Sequence, residues 1–435
     1  MAYRDSLVRL AETSQSGMRL GLDTTRALLA ELGNPHEGLR GVLVAGTNGK
    51  GSVCAMVAEA GRQAGHRVVL LTKPHLTSYR ERIQLGARPV SEGEFATLAN
   101  AVADAAGRLG PGSGRPTHHE LLTAMGFLAA RRHRSDLVVC EVGLGGRLDA
   151  SNVWDGGVSA IVSIGLDHQD QLGTTLAAIA GEKAGIIKPG QWVLSGARGE
   201  ARRVIERAAA RAGACLWELD SEITWRPSEH GTINVRTPLG LWQRLRVALS
   251  GRHQADNAAL AVAICDALGQ AGIPITEAAL RQGLASVRWP GRLQLLASAP
   301  PVLVDAAHNP DAVAAVLPEL EERLRGRRGV LLFGSMDDHD HRGMLRLLSQ
   351  VGFSETVFTR AESARAAPAD SLRTGWPGPG RVIPEVPPAL AEARKLAGPQ
   401  GLVVSLGSIY VIGEVMAALG EGLVPDPEIP ESAMW

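Results

Sequence analysis

The sequence predicts an α/β protein of two domains, each built on a mainly parallel sheet with helices packed against it. Three observations carry this. Short apolar runs alternate with longer stretches of helical period along most of the chain, as strands and crossover helices do. At 435 residues the chain is longer than one ordinary hydrophobic core supports. A Pro-Gly break in Arg288-Trp289-Pro290-Gly291-Arg292 precedes a fresh strand–helix series from Pro301. The boundary is placed near residue 295, which gives units 1–294 and 295–435.

In the first unit the expected strands are Gly41–Ala45, Arg67–Thr72, Asp136–Val142, Ser159–Ile164 and Gln191–Ser195. Helical stretches lie between them at Ser52–Ala64, His118–His133 and Thr174–Lys183. The segment Leu216–Ser250 is turn-rich and β-like, with the spacing of antiparallel hairpins, and helices at Gln254–Gly269 and Thr276–Ser286 close the unit. Strands expected in the second unit are Val302–Asp305, Gly329–Phe333, Glu355–Thr359 and Gly401–Leu406. The tail from Glu421, rich in Pro and acidic residues, reads as a surface strap or a disordered end.

Composition narrows the function classes. Lys+Arg and Asp+Glu both total 45, and a neutral chain lacks the basic excess that non-specific nucleic-acid binding needs. An anionic substrate must then be held by local clusters. The four cysteines, Cys54, Cys140, Cys215 and Cys265, have no metal-ligand or CxxC spacing and read as reduced thiols. The N-terminal MAYRDSLVRLAETSQS has scattered charges and no apolar core of a signal peptide. The most apolar stretch, Leu402–Gly420, is interrupted by Ser405, Gly407, Ser408 and Glu414, too polar for a membrane span. A cytoplasmic protein acting on small molecules is expected, with no nucleic-acid or membrane partner. It is expected to be a monomer.

The strongest motif is Gly46-Thr47-Asn48-Gly49-Lys50-Gly51-Ser52, between the apolar run GVLVA and a helical stretch. Glycines there let backbone N–H groups converge on phosphate oxygens, and the helix N-terminus adds partial positive charge. Lys50 suits the β- and γ-phosphates, and Ser52 sits where a hydroxyl reaches Mg2+. The loop departs from a strict Walker A, since Gly51 separates Lys50 from Ser52 and Val44 stands in place of the leading glycine. The bland alternative is a glycine-rich turn with a solvated lysine.

The loop VAGTNGKGS resembles that of folylpolyglutamate and dihydrofolate synthases of the Mur-type ligase superfamily, and further motifs follow in that family's order. They are LGNP at Leu32–Pro35, PHL at Pro74–Leu76, ERI at Glu81–Ile83, EVGLGGRLDASN at Glu141–Asn152 and LDHQDQLG at Leu166–Gly173. EKAGIIKPG at Glu182–Gly190, WPGRLQ at Trp289–Gln294 and DAAHNPD at Asp305–Asp311 complete the series. The resemblance implies an N-terminal P-loop ATPase domain, a smaller C-terminal Rossmann-like α/β domain and an active site in the cleft between them. It implies ATP with Mg2+, two ions, an acyl phosphate formed on a folate-type carboxylate, and attack by the amine of glutamate.

The resemblance also assigns residues. Glu141 and His168 would bind Mg2+ at the carboxyl ends of strands, where parallel sheets bind ligands. His168 taken singly reads equally as a structural histidine. Lys183 corresponds to a lysine that is carbamylated in the family, although its own residues suggest a helix-end lysine favoured by the dipole. Asn257, Arg292 and Asp305 correspond to residues near adenine, phosphates and ribose. His308 stands for a contact to phosphate or to the incoming glutamate, or simply a helix start. The acceptor side corresponds to His119 and Glu120 and to Arg147, Leu148, Asp149 and Ala150. Arg82, in a loop from Leu76 to about Val90, would cover the substrate or face solvent.

One position breaks the pattern. The family carries a metal-binding serine where this chain has Lys73, and an ammonium cannot ligate a cation. Thr72 or Ser52 would supply the oxygen, or Lys73, placed near Glu141, would replace part of the metal's charge on the phosphates. Two other functions are weighed: another Mur-type amino-acid ligase, and a non-catalytic P-loop nucleotide binder. The first generally needs an extra UDP-binding domain, and 40 residues before Gly41 are too few for one.

Overall fold

The computed structural model describes residues 2–14, 21–296 and 299–427. Its largest sheet has eight strands, in the spatial order Arg88–Pro89, Ile83–Leu85, Val68–Leu71, Leu137–Glu141, Gly41–Ala45, Gly157–Ile161, Trp192–Ser195 and Cys215–Glu218. The first two pair antiparallel and the other six run parallel. Gly41–Ala45 lies near the centre and is buried along its whole length. Its alternating side chains serve two cores: Val42 and Val44 face one layer, Leu43 and Ala45 the other. Both faces of a parallel sheet are covered, so the strand reads as one continuous apolar run.

The helix Lys50–Gln63, which follows the phosphate loop, packs under this strand together with His253–Gln270 and Glu277–Ser286. Small residues set the spacing. A Cβ on Gly283 would lie 2.6 Å from Ala60 Cα, so these two helices meet almost backbone to backbone. On the opposite face the helices Glu92–Gly107 and His118–Arg132 bury Phe95 and Phe127.

Several expectations shift. The apolar run Ser159–Ile164 leaves the sheet after Ile161, because its partner strand ends at Ala45 and the backbone turns to meet the phosphate loop. Within the turn-rich segment, Cys215–Glu218 joins the large sheet as a parallel edge strand. Only Thr224–Pro227, Ile233–Thr237 and Gly240–Leu245 form the separate antiparallel sheet. The loop expected from Leu76 contains a short hairpin, Ile83–Leu85 with Arg88–Pro89.

The second sheet has six strands in the order Gln294–Leu296, Val302–Val304, Leu402–Leu406, Gly329–Phe333, Glu355–Phe358 and Gly380–Val382, all parallel except the first. It too is covered on both faces, with Leu331 and Phe333 on one side and Val330 and Leu332 on the other. Gln294–Leu296 pairs with this sheet, so the second unit begins at Gln294. The chain end returns to the first domain: Asp426 accepts from Tyr3 Oη and Ser78 Oγ at 2.7 Å and from Tyr79 N at 2.6 Å. Residues 428–435 of the expected tail lie outside the described residues.

Candidate active site

The carboxyl ends of four parallel strands place their loops around one cavity of about 640 Å3, closed on its far side by the second domain. After Gly41–Ala45 comes Gly46–Gly49. After Leu137–Glu141 comes Val142–Gly145, and after Gly157–Ile161 comes Val162–His168. Val68–Leu71 leads to Lys73 and Pro74. Convergence of these ends is a property of the parallel sheet, in which every strand points the same way.

The phosphate loop is held by its neighbour. Thr47 N–H donates to Ser163 O at 2.8 Å, and Asn48 N–H to Ser163 Oγ at 2.9 Å. Gly49 has φ +84°, and a Cβ there would also come within 2.5 Å of Asn257 Oδ1, so glycine is required twice over. Gly51 is explained by the linker: a Cβ would meet Trp289 Nε1 at 2.8 Å. Lys50 Nζ folds back onto the carbonyls of Gly46 and Thr47, at 3.1 Å each. Ser52 is buried and accepts from Gln254 Nε2 at 3.3 Å, and Gln254 also accepts from Asn257.

Two buried groups face this loop. Lys183 Nζ donates to Gly46 O at 3.0 Å. Burial, and secondarily the charge of Lys50, push its pKa down to about 7, outweighing Asp167 and Asp149, which raise it. Among the described residues, the Glu141 carboxylate has one hydrogen bond, from Lys73 N–H at 3.2 Å. Burial raises its pKa, and the charges of Lys50 and Arg292 only partly offset that. His168, with left-handed backbone at φ 48°, opens the short helix Gln169–Leu172 and lines the cavity, its Nε2 4.0 Å from Asp167 Oδ1.

The second domain supplies the facing wall. Asn309 caps the helix Pro310–Leu324 by accepting from Ala312 N–H at 2.8 Å. Its amide also pairs with that of Asn48, at 3.1 and 3.2 Å, and donates to Asp167 Oδ2 at 3.0 Å. His308 Nδ1 meets Ala306 O at 2.8 Å, and its Nε2 stands 3.9 Å from Asp167. His339 joins this wall, its ring 5.2 Å from that of His308 and 6.5 Å from that of His168. Asp305 spends both oxygens on backbone N–H groups, of Leu293 and Ala307, at 2.8 Å each. It thereby fixes the linker in which Arg292 lines the cavity.

On the acceptor side the outcome is mixed. Arg82 and His119 line the cavity; Arg82 donates to His75 Nδ1 at 2.8 Å and His119 Nε2 lies 3.0 Å from Asp149 Oδ2. Glu120 does not reach it. Its carboxylate turns inward to accept from Thr117 N–H, Thr117 Oγ1 and Thr25 Oγ1, closing a helix capping box. Arg147 pairs outward with Glu182 at 3.3 Å, Leu148 is exposed and Ala150 is buried elsewhere, so none of the three lines the cavity. Asp149 stands behind the wall, accepting from the N–H groups of Gly143 and Leu144 and thereby shaping that loop. Burial alone would raise its pKa, but Lys73, His119 and its other donors hold it well below the usual range. The ammonium of Lys73 lies 3.9 Å from Asp149 Oδ1, while its backbone N–H donates to Glu141, next to which the residue was expected.

Asn309, Asp167 and His339 were not singled out in the sequence as site residues. Asn309-Pro310 shows only a helix start, and nothing local marks that its amide spans to a loop 261 positions away.

A phosphate loop at the carboxyl edge of a parallel sheet, faced across a cleft by a second α/β domain, defines a nucleotide-dependent ligase of the Mur type. Residues 291–409 match the family model for the Mur ligase glutamate ligase domain. The dihydrofolate synthase/folylpolyglutamate synthase of Bacillus subtilis is 33% identical over 96% of this chain and 99% of its own length. Escherichia coli FolC in complex with DHPP and ADP superposes with a TM-score of 0.88, at 30% identity, covering 97% of this chain and 98% of that one. A bifunctional folylpolyglutamate synthase/dihydrofolate synthase from Yersinia pestis, complexed with AMPPNP and Mn, gives 0.85 at 30% identity, covering 97% and 98%. The chain belongs to the dihydrofolate synthase/folylpolyglutamate synthase family.

Proposed function

We propose that this chain uses ATP to join L-glutamate, through its amine, to the carboxylate of a folate-type acceptor, dihydropteroate or a reduced folate. One observation carries the reading: a cavity lined both by the phosphate loop and by His308 of the other domain, where Asn48 pairs with Asn309 across the cleft. The ADP and AMPPNP named in the complexes of its relatives support a nucleotide there.

The donor set fits a divalent ion. Glu141 is a buried carboxylate with little of its acceptor capacity used, and His168 faces the same space. Among the described residues no three such side chains form a closed cage. Mg2+ does not need one, because it keeps waters and takes phosphate oxygens as ligands. When bound, two such ions would supply positive charge for the phosphates, with Ser52 as a further oxygen donor.

The chain's own residues do the rest. Backbone N–H groups of Gly46–Ser52 and the following helix N-terminus hold the phosphates, and Lys50 exchanges its loop carbonyls for β- and γ-oxygens. Asn257 and Asp305 bound the nucleoside, and Arg292 brings its guanidinium to the phosphates as the cleft closes. An acceptor carboxylate oxygen then bonds to the terminal phosphorus, and the electron pair of the broken P–O bond leaves with ADP. The glutamate amine adds to the acyl carbon and loses a proton, and phosphate departs with the C–O electron pair. His308 faces the position of glutamate or phosphate, while His119 and Arg82 bound the acceptor. Lys183, whose pKa of about 7 leaves about half of it neutral at that pH, is assigned as carbamylated, which puts an anion beside Gly46. The enzyme is assigned to the cytoplasm, as a monomer.

Purified protein incubated with ATP, Mg2+, L-glutamate and either dihydropteroate or tetrahydrofolate tests this by product mass and ADP release. Gain of one glutamate on both acceptors is expected. Gain on one restricts the acceptor, and gain on neither, with ATP bound, overturns the reading.

A further inference from the structure

Lys73 stands where the two halves of the cavity wall meet, and its two ends serve different partners. Its backbone N–H donates to Glu141 Oε2 at 3.2 Å, on the phosphate side. Its ammonium reaches the other way, to Thr123 Oγ1 at 3.4 Å, His119 Nε2 at 3.4 Å and Asp149 Oδ1 at 3.9 Å. These contacts leave it under-satisfied. A carboxylate only accepts, so the 3.0 Å bond between His119 Nε2 and Asp149 places the proton on Nε2, which then cannot accept from Lys73. Asp149 is engaged by nearer donors: the N–H groups of Gly143, Leu144 and Ser151 at 3.0 Å and the Ser151 hydroxyl at 2.5 Å. Among the described residues, Thr123 is left as the one neutral acceptor within 3.4 Å for three N–H bonds. The Lys73 side chain is only 12% exposed, and it lines the cavity. A charged group so placed is costly unless something in the cavity accepts from it.

We infer that Lys73 binds the carboxylate of the acceptor, the group that becomes the acyl phosphate. This rests on the function proposed above. That carboxylate has to approach a triphosphate, anion against anion, and Lys73 offers a cation on the wall between Glu141 and His119, on the acceptor's side. Its backbone hydrogen bond to Glu141 fixes where the ammonium starts, so acceptor and phosphate sites are set in register by one residue.

The test compares dihydropteroate with its neutral carboxamide, both titrated into AMPPNP-loaded protein by calorimetry. The parent is expected to bind the carboxylate at least about tenfold more tightly, and Lys73→Met to lose that preference while its affinity for AMPPNP stays within about twofold. Lys73→Arg should retain part of the preference. If Lys73→Met is poorly folded, Lys73→Gln, which also keeps much of the stem, serves for the same comparison. A variant without the ammonium that still prefers the carboxylate overturns the assignment. If the parent adds glutamate to neither acceptor, the proposed function fails and this inference with it. If the parent does so and the preference survives the substitution, only the role of Lys73 is lost.

Discussion

The side-chain nitrogen of Lys183 lies 3.0 Å from the carbonyl of Gly46, so a buried amine is tied to the first residue of the phosphate loop. Burial lowers its pKa from the ordinary 10.5 to about 7, and the sign of the consequence is definite. Between about pH 7 and 10.5 the folded chain binds fewer protons at this site than the unfolded chain, so the contribution of Lys183 to stability rises with pH across that window. It is at its least favourable below pH 7. Lys183→Met should therefore raise Tm most at pH 6 and by less at pH 9, read by thermal melts at both values. In the parent, a carbamate signal from 13C-labelled CO2 should grow through pH 7 and be absent from the variant.

Asp426 reaches from the end of the chain to the loop that carries Arg82, bonding Tyr3, Ser78 and Tyr79. Thr77 adds a hydrogen bond to Leu423 O at 3.1 Å. Asp426→Ala should release this loop and raise the acceptor's KM by about tenfold, with the KM for ATP unchanged. Steady-state kinetics with each substrate varied in turn checks it, and equal shifts in both constants would argue against a strap acting on the acceptor.

Asn309 caps a helix and pairs with Asn48 across the cleft, and the two roles separate by substitution. Asn309→Asp keeps the capping oxygen but cannot donate to Asp167 or Asn48, and sets two carboxylates side by side. Its kcat should fall at least tenfold while the cap's contribution is kept. Asn309→Ala should lose the cap as well, at a cost of about 1 kcal/mol in a denaturant melt.

Gly51 sits under the indole of Trp289. Gly51→Ala should displace the linker and raise the KM for ATP several-fold. Adding Trp289→Phe, which removes the crowding nitrogen and shrinks the ring, should restore part of the loss. A double variant no better than Gly51→Ala would show that the linker is not the obstacle.

The elements were legible because their causes are local. The run GVLVA has to be a buried strand, and the glycines of the phosphate loop state their purpose in order. Glu120 shows the limit of that legibility: its place among the acceptor-binding motifs suggested a ligand contact, but in the structure a capping box with Thr117 takes up the carboxylate. Asp149 and Arg147 belong to one motif, yet one shapes the cavity wall from behind and the other faces solvent.

By itself the sequence determined the two α/β units, the phosphate loop and the chemistry available to it, since apolar period, turn residues and glycine conformation act over a few positions. Only the tertiary structure decided which polar atoms meet: Asn309 with Asn48, Lys183 with Gly46, and Lys73 with Asp149. Those pairings depend on where strand ends and domain faces come together, and on which buried donors are already satisfied by nearer partners, which no local pattern records.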